Sequence, residues 1–351
     1  MKTLQIQGSA GDSTIMVGAK LREFRIPARN AVIITDTTVR QLYGKDFPPF
    51  EVIEIGSGEA IKNLNTVKGI YEKLLELEVD RSCFILGIGG GVVCDIAGFV
   101  ASTYLRGLRF GLVPSTLLSQ VDAGVGGKNG VNLGGYKNMV GTFNQPQFVI
   151  CDTDLLKTLP QREILSGLAE IVKHAAIGNE NLFSYLEENW GKALRLEPEV
   201  IEKLVYDSVV IKASIVNRDE KEKGERRKLN FGHTFGHAIE KASGVSHGEA
   251  VSAGMVLASA LSRRRGYLSA KDAARIEALL HRLNLPTRFP GDSKILFDAI
   301  RKDKKRNGDN LNFVLVQGIG RAVVEEIPLK ALEDEASEMT STHNAGQHGK
   351  G

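Results

Sequence analysis

Three histidines crowd into one short stretch of this 351-residue chain: His233, His237 and His247. The segment NFGHTFGHAIE sets His233 and His237 four residues apart, on one face of a helix. SHGEAV then supplies His247 at the start of the next helix. Upstream, GLAEIVKH places Glu170 and Lys173 three residues apart on another helix. Two imidazoles and a carboxylate make a three-ligand set for zinc or a similar divalent ion, and its open positions can take substrate oxygens. Spacing alone also allows the helical histidine pair to be structural, and it does not say whether His237 is a ligand.

A second group of residues suits anions. GIGGGVVCD, Gly87 to Asp95, follows an apolar strand and opens a helix. Its glycines let backbone approach a pyrophosphate, and the helix N-terminus attracts negative charge. A plain strand-to-helix turn would read the same way. PSTLLSQVDAGVGGKNGVNLGGYKNMVG carries Asp122, Lys128, Lys137 and Asn138 in a glycine-rich setting that suits phosphate. More cations stand at Arg106, Lys212, Arg226, Lys304 and Lys305. Taken singly, each is an ordinary surface charge. Arg226 stands out because Asn230 and then His233 follow it at helical intervals.

These residues need elements to hold them. Candidate strands are Thr14–Val17, Ala31–Thr35, Glu51–Ile55, Cys83–Gly87, Phe110–Val113 and Phe148–Cys151, with helical patterns at Asn65–Leu77 and Val92–Thr103. Strands alternating with helices imply a mostly parallel, doubly wound sheet. Beyond a boundary near Asp152 the periodicity is helical over Arg162–Ile177, Asn181–Asn189, Pro198–Asn217, Thr234–Ser243, Glu249–Arg265, Ala270–Leu283 and Lys294–Arg301. Asn312–Val316 and Ala322–Ile327 read as a late hairpin. The expected organisation is an α/β domain over 1–152, a mostly α-helical domain over 153–334 and a disordered tail over 335–351, where His343 and His348 are poor ligand candidates.

Composition narrows the class. The net charge of +3 favours neither nucleic acid nor an anionic membrane. No stretch approaches the roughly 20 apolar residues of a membrane span. The start, MKTLQIQGSAGDS, has no apolar signal region, so a cytoplasmic location is expected. Cys83, Cys94 and Cys151 are too scattered for a disulfide framework and read as buried thiols.

The pieces GGGVVCDIAGF, VDAGVGGKNGVN…GYKNMVG, GLAEIVK, LNFGHTFGHAIE, HGEAVSAGM and DKK together resemble the 3-dehydroquinate synthase family, over about Asp36 to Gly318. The resemblance implies a Rossmann-like N-terminal domain, a helical C-terminal domain and a homodimer. It implies NAD and a zinc or cobalt ion as cofactors, and conversion of 3-deoxy-arabino-heptulosonate 7-phosphate to 3-dehydroquinate plus phosphate. In that chemistry NAD removes a hydride from a ring hydroxyl, phosphate leaves by elimination, the hydride returns, and ring opening with an aldol closure completes the carbocycle. By the same resemblance Glu170, His233 and His247 are the metal ligands. Asp36, Glu59, Lys62, Gly90, Gly91, Asp95, Ser115, Thr116, Lys128, Lys137 and Thr158 serve NAD. Asp122, Lys128, Asn138, Lys173, Lys212, Arg226, Asn230, His237 and a DKK lysine, Lys304 rather than Lys305, line the substrate site, and Arg106 reaches a neighbouring subunit's site. Among these, Lys128, Asn138, His237 and Arg106 are expected at phosphate and Lys212 and Arg226 at carboxylate, with Asp122 and Lys173 ordering hydroxyls.

The chain departs from the family pattern at Cys94, where glycine is common, at Ala123–Gly124, where two serines are common, and at Ser115, where threonine is common. The connection from His237 to His247 is also short. Three alternatives stand beside the family reading. One is a related sugar-phosphate cyclase of the valiolone synthase type, whose substrate lacks the carboxylate. The others are a metal-dependent polyol dehydrogenase and a non-catalytic binding paralog.

Overall fold

The computed structural model describes residues 1–9, 11–288, 306–307 and 310–335. The expected helix over Lys294–Arg301, the Lys304–Lys305 pair and the tail past Glu335 lie outside the described residues. The chain divides into one unit made of Met1–Ile164 and Pro198–Lys221 and a second made of Leu165–Glu197 and Glu222–Gly351.

The first unit is built on β1 (Lys2–Ile6), β2 (Ser13–Val17), β3 (Ala31–Asp36), β4 (Glu51–Ile55), β5 (Phe84–Gly89), β6 (Arg109–Pro114), β7 (Lys128–Leu133), β8 (Tyr136–Phe143) and β9 (Phe148–Cys151). Seven of these form one sheet in the order β1-β2-β9-β6-β5-β3-β4. Only β1 runs antiparallel to its neighbour. The strands at its centre are continuous apolar runs because both faces are covered, and every residue of β5 is buried. Ile33, Phe84, Leu86, Ile88, Val113, Phe148 and Ile150 join in one core on this sheet.

All six strands expected from the sequence are present, β5 running two residues further than its pattern indicated. Three elements went unread. Edge strand β1 has little apolar alternation, and α1 (Thr37–Tyr43) is too short for periodicity to show. The glycine-rich stretch, expected as a phosphate loop, is instead the two-stranded antiparallel hairpin β7–β8, preceded by a π-helical turn over Ser119–Ala123. Its glycines serve close pairing: a methyl on Gly130 or Gly141 would lie 2.6 or 2.5 Å from a carbonyl oxygen across the ladder.

The connections decide where a ligand fits. β3 leads through α1 to β4 on one side, and β5 leads through α3 (Gly91–Thr103) to β6 on the other; α2 (Leu64–Glu76) links β4 to β5. The winding therefore reverses between the carboxyl ends of β3 and β5, the position where open α/β sheets leave a crevice. Asp36 ends β3 there, and Gly89, Gly90 and Gly91 join β5 to α3.

Two helices, α4 (Gln161–Gly178) and α5 (Glu180–Leu194), come next, α4 lying mostly in the second unit. They precede α6 (Pro198–Arg218), which belongs to the first unit and packs on β1 and β2. Asn217 on α6 accepts from the Gln7 amide at 2.9 Å, and Lys2 lies over the Tyr206 ring, 4.6 Å from its centroid.

The second unit continues with α7 (His233–Ser243), α8 (His247–Arg264), α9 (Ala270–Arg282), β10 (Arg306–Asn307), β11 (Asn310–Val316) and β12 (Ala322–Pro328), then a helix over 329–335. The expected late hairpin is β11–β12. Arg265, closing α8, holds Glu325 at 2.5 Å and Glu335 at 2.6 Å. Two glycines place the helix starts that matter. Gly232, at φ +77°, caps α7 in a left-handed conformation that a side chain resists, and a methyl there would meet Met255 Cγ at 2.6 Å. Ser246 caps α8 in a reciprocal box with Glu249. Gly248, beside His247, touches α4: a methyl there would lie 2.4 Å from Ser166 Cα. Gly248→Ala is expected to push the start of α8 off α4 and to destabilise the protein by about 2 kcal/mol, read from urea unfolding. An unchanged midpoint would show that this contact sets nothing.

Candidate active site

Glu170 lies inside α4 and is wholly buried, and Lys173, one turn on, is 1% exposed and ion-paired with it. His233 opens α7 and His247 opens α8, so the two caps described above aim both rings. His233 Nε2 lies 3.6 Å from Glu170 Oε1, and His247 Nε2 lies 3.4 Å from the same oxygen. One donor atom from each of the three falls within 4.8 Å of the others. Zinc with bonds near 2.1 Å holds tetrahedral donors about 3.4 Å apart, so the trio fits a divalent cation. The far nitrogens are engaged as in metal sites: His233 Nδ1 is 3.2 Å from the Phe231 carbonyl, and His247 Nδ1 is 3.6 Å from Glu240.

Burial, reinforced by Lys173, holds His233 well below its ordinary range, which favours the neutral imidazole. Burial also pulls His247 down, but the Glu170 and Glu240 carboxylates outweigh it and raise the imidazole to about 9. Glu240 was missed in the sequence, where one acid in HAIE gives no sign that it faces a later histidine. His237, which spacing allowed as a ligand, is exposed and stands edge-on to His233 at 5.3 Å between ring centroids, outside the ligand trio. Arg226 is buried in the turn Glu225–Asn230, and Asn230 donates to Glu222 at 2.6 Å.

The first unit gathers a second set. Lys62 is buried, pairs with Asp95 on α3, and donates to Asn138 Oδ1 at 2.6 Å. Burial, partly offset by Lys62, pushes the Asp95 carboxyl up to about 6. Asn132 joins the set: it donates to Glu59 Oε1 at 2.8 Å and accepts from the Asn138 amide at 2.9 Å. Glu59, Lys62, Asp95 and Asn138 are thus brought together, with Asn132 as a member the sequence did not single out. Gly90 caps α3, and a methyl on Gly91 would lie 3.1 Å from Ala123 Cβ, so the helix start carries no side chain at these two positions and its amides suit a pyrophosphate. Ser115 donates its amide to the Gly89 carbonyl at 2.8 Å. Thr116 is tied to Ser119 at 2.8 Å, and Thr158 to Tyr43 at 2.6 Å. Cys94, where the family pattern has glycine, is buried with its thiol toward the Gly89 carbonyl.

Lys212 donates to the Asp122 carbonyl at 2.7 Å and its carboxylate at 2.5 Å. Lys128 and Lys137 are exposed at the start of β7 and on β8. Arg106 is exposed on a turn where it and Leu105 both take left-handed angles, φ +67° and +50°.

Asp95 carries a testable consequence. Its raised carboxyl means the folded protein binds that proton more tightly than the unfolded chain, so this group adds stability as pH falls through about 6 and loses it as pH rises. Asp95→Asn has no such proton, so its melting temperature relative to the parent is expected to be highest near pH 8 and to decline toward pH 5. A difference that stays flat across this range would contradict the assignment.

Two family models match in tandem, "3-dehydroquinate synthase N-terminal" over residues 52–166 and "3-dehydroquinate synthase C-terminal" over 167–306. The 3-dehydroquinate synthase of Geobacter metallireducens is 42% identical over 317 residues, 87% of this chain and 88% of that protein. That of Halorhodospira halophila is 44% identical over 316 residues, covering 88% and 89%. That of Dehalococcoides mccartyi is 40% identical over 348 residues, covering 94% and 97%. Among solved structures, a 2-deoxy-scyllo-inosose synthase with carbaglucose-6-phosphate, NAD+ and Co2+ superposes at TM-score 0.84, with 27% identity over 96% of this chain and all of that one. A 2-epi-5-epi-valiolone synthase from Streptomyces hygroscopicus subsp. jinggangensis 5008 with NAD+ and Zn2+ gives 0.85 and 27%, over 97% and 100%. A probable glycerol dehydrogenase from Sinorhizobium meliloti 1021 shares only the fold, at 14% identity and TM-score 0.65 over 91% and 92%. With both models matched in order across the residues that build these two clusters, and relatives above 40% identity along most of its length, this chain belongs to the 3-dehydroquinate synthase family.

Proposed function

We propose that the chain converts 3-deoxy-D-arabino-heptulosonate 7-phosphate to 3-dehydroquinate and phosphate, a phosphorus–oxygen lyase reaction of aromatic amino acid biosynthesis. The observation that carries the proposal is the convergence of Glu170, His233 and His247, with zinc-like separations, in a chain of this family. When bound, NAD would borrow and return a hydride, and a zinc or cobalt ion held by the trio would polarise the oxygen at that carbon.

The chain's own groups have separate tasks. Asp36 at the end of β3, Gly90 and Gly91 at the start of α3, and Ser115, Thr116 and Thr158 are assigned to the dinucleotide, together with Glu59, Lys62, Asp95, Lys128 and Lys137. Lys128, Asn138, His237 and Arg106 are assigned to the substrate's phosphate, where exposed cations steer an anion and stabilise it as it leaves. Lys212 and Arg226 are assigned to the carboxylate; both are buried, where a charge pair is screened less. Asp122 and Lys173 order hydroxyls, with Asn230 beside Arg226 in sequence. Lys304 keeps its assignment to substrate but lies outside the described residues. The dinucleotide role is assigned to 1–152 and the metal and substrate role to 153–334. A cytoplasmic location accords with this reaction, and among the described residues no helix is long and apolar enough to cross a membrane. A homodimer is supported by the exposed Leu133, Tyr136, Met139 and Phe143 on the β7–β8 hairpin.

Phosphate release is expected from the heptulosonate phosphate, without net NADH, and not from sedoheptulose 7-phosphate, which lacks the carboxylate. A chelator is expected to abolish it and zinc or cobalt to restore it. Release only from sedoheptulose 7-phosphate would install the valiolone-type reading, and NADH accumulation with glycerol the dehydrogenase one.

Because Glu170 and Glu240 raise His247 to about 9, metal binding at pH 7.5 is expected to displace its proton. Calorimetric enthalpies of zinc binding are expected to vary with the ionisation enthalpy of the buffer, and the apparent affinity to climb with pH toward 9. Buffer-independent enthalpies would exclude His247 as a ligand.

If Arg106 serves the neighbouring site, inactive Arg106→Ala and inactive His233→Ala chains, refolded together, are expected to recover about a quarter of parental activity, since half the sites in hybrid dimers are whole. No recovery would place Arg106 in its own chain's site or in none.

A further inference from the structure

Asn132 faces a break in the hairpin's ladder, where it alone on β7 stands opposite Lys137, Asn138 and Met139 on β8. β7 and β8 pair Val131 with Val140 and Leu133 with Tyr136, and the register shifts between them. The extra residues bulge from β8 and re-aim Asn138. Asn132, whose backbone bridges to Asn63, turns its amide and both ends of its side chain onto this cluster. Its amide donates to the Lys62 carbonyl at 2.8 Å. Its Nδ2 donates to Glu59 Oε1 at 2.8 Å, and its Oδ1 accepts from the Asn138 amide at 2.9 Å. Asn138 stands at φ +53°, a left-handed conformation held by that bond, and its own Oδ1 takes the Lys62 ammonium at 2.6 Å. The circuit closes on itself: Lys62 is gripped by Asn132 through its backbone and by Asn138 through its side chain.

We propose that Asn132 is a positioning residue through which the groups assigned to NAD, Glu59 and Lys62, and the group assigned to the substrate's phosphate, Asn138, are set by one side chain. The inference rests on the function proposed above. Its two arms are chemically distinct. The donor arm orients Glu59, and the acceptor arm fixes Asn138. Asn132→Ala removes both. Asn132→Asp keeps an acceptor for the Asn138 amide but sets a negative charge against Glu59.

The test uses full-length, zinc-loaded protein. NAD+ affinity is measured by calorimetry, KM for the heptulosonate phosphate by phosphate release, and zinc content by mass spectrometry. Asn132→Ala is expected to weaken NAD+ about tenfold and to raise KM about as much, the loss typical of a hydrogen bond to a charged group. Its zinc content is expected to match the parent, because the ligand trio lies in the other unit. Asn132→Asp, nearly isosteric should the alanine variant fail to fold, is expected to weaken NAD+ at least as strongly while leaving KM within about twofold. That split between affinity and KM is one a merely structural asparagine does not produce. Parental values in Asn132→Ala, or an equal rise of KM in both variants, would overturn the role of Asn132. A parent protein that neither binds NAD+ nor releases phosphate would overturn the proposed function instead.

Discussion

Glu170 is a carboxylate that water does not reach, and a buried charge must be answered by the groups around it or by something they bind. Much of the second unit's local design follows from that. Lys173 answers from the same helix, one turn away. The other two answers come from elsewhere: His233 and His247 each stand at the first position of a helix, where a cap fixes the ring's base and a neighbouring glycine fixes the helix. Helix starts suit this task, because a first-turn side chain is set by the entering chain as well as by the helix. His247 answers too: the Glu170 and Glu240 carboxylates outweigh its burial and raise its imidazole to about 9, which favours the charged form beside the buried carboxylate.

The first unit meets the same constraint differently. Asp95 is held near Lys62, yet its carboxyl still sits near 6, above its usual range, so burial outweighs the partner there. A charge kept where the fold would prefer a neutral group marks a site arranged for something other than stability. The parallel sheet supplies the place. Its winding reverses between β3 and β5, and Gly90 and Gly91 put backbone without side chains at the entry to α3.

Periodicity and punctuation made most of this readable in the sequence. The central strands are apolar runs between turn signals, and GIGGGVVCD shows both the strand's end and the helix's start. That Glu170, His233 and His247 could meet was legible in kind, since each sits where helical patterns begin or repeat, and the fold does bring their donor atoms together. What separated His247 from His237 was depth and direction: His237 lies on the exposed side of α7, although the four-residue spacing puts it on the same helix face as His233. The reading of Lys212 changed more. Taken singly it read as an ordinary surface charge, and only the family resemblance put it at a carboxylate; the fold buries it and gives it Asp122, so any carboxylate it takes has to compete with a group already there.

The β7–β8 hairpin marks the limit of such reading, and the reason is physical. Composition reports which residues tolerate close approach, and in GGKNGVNLGGYKN the glycines suggested a phosphate loop where the chain forms a tightly paired hairpin. Strand register is a property of two segments at once, and a shift of one residue sends every side chain to the opposite face. Asn138 meets Asn132 because three residues of β8 bulge opposite one of β7, between the Val131–Val140 and Leu133–Tyr136 pairs. Had the strands paired without that bulge, Asn138 would lie opposite Leu133 and its amide would lose the Asn132 side chain. Lys62 would then keep Asp95 and lose the Asn138 side chain. The bulge therefore does for the first unit what the capped helix starts do for the second: it converts an irregularity of backbone into a fixed direction for a polar group.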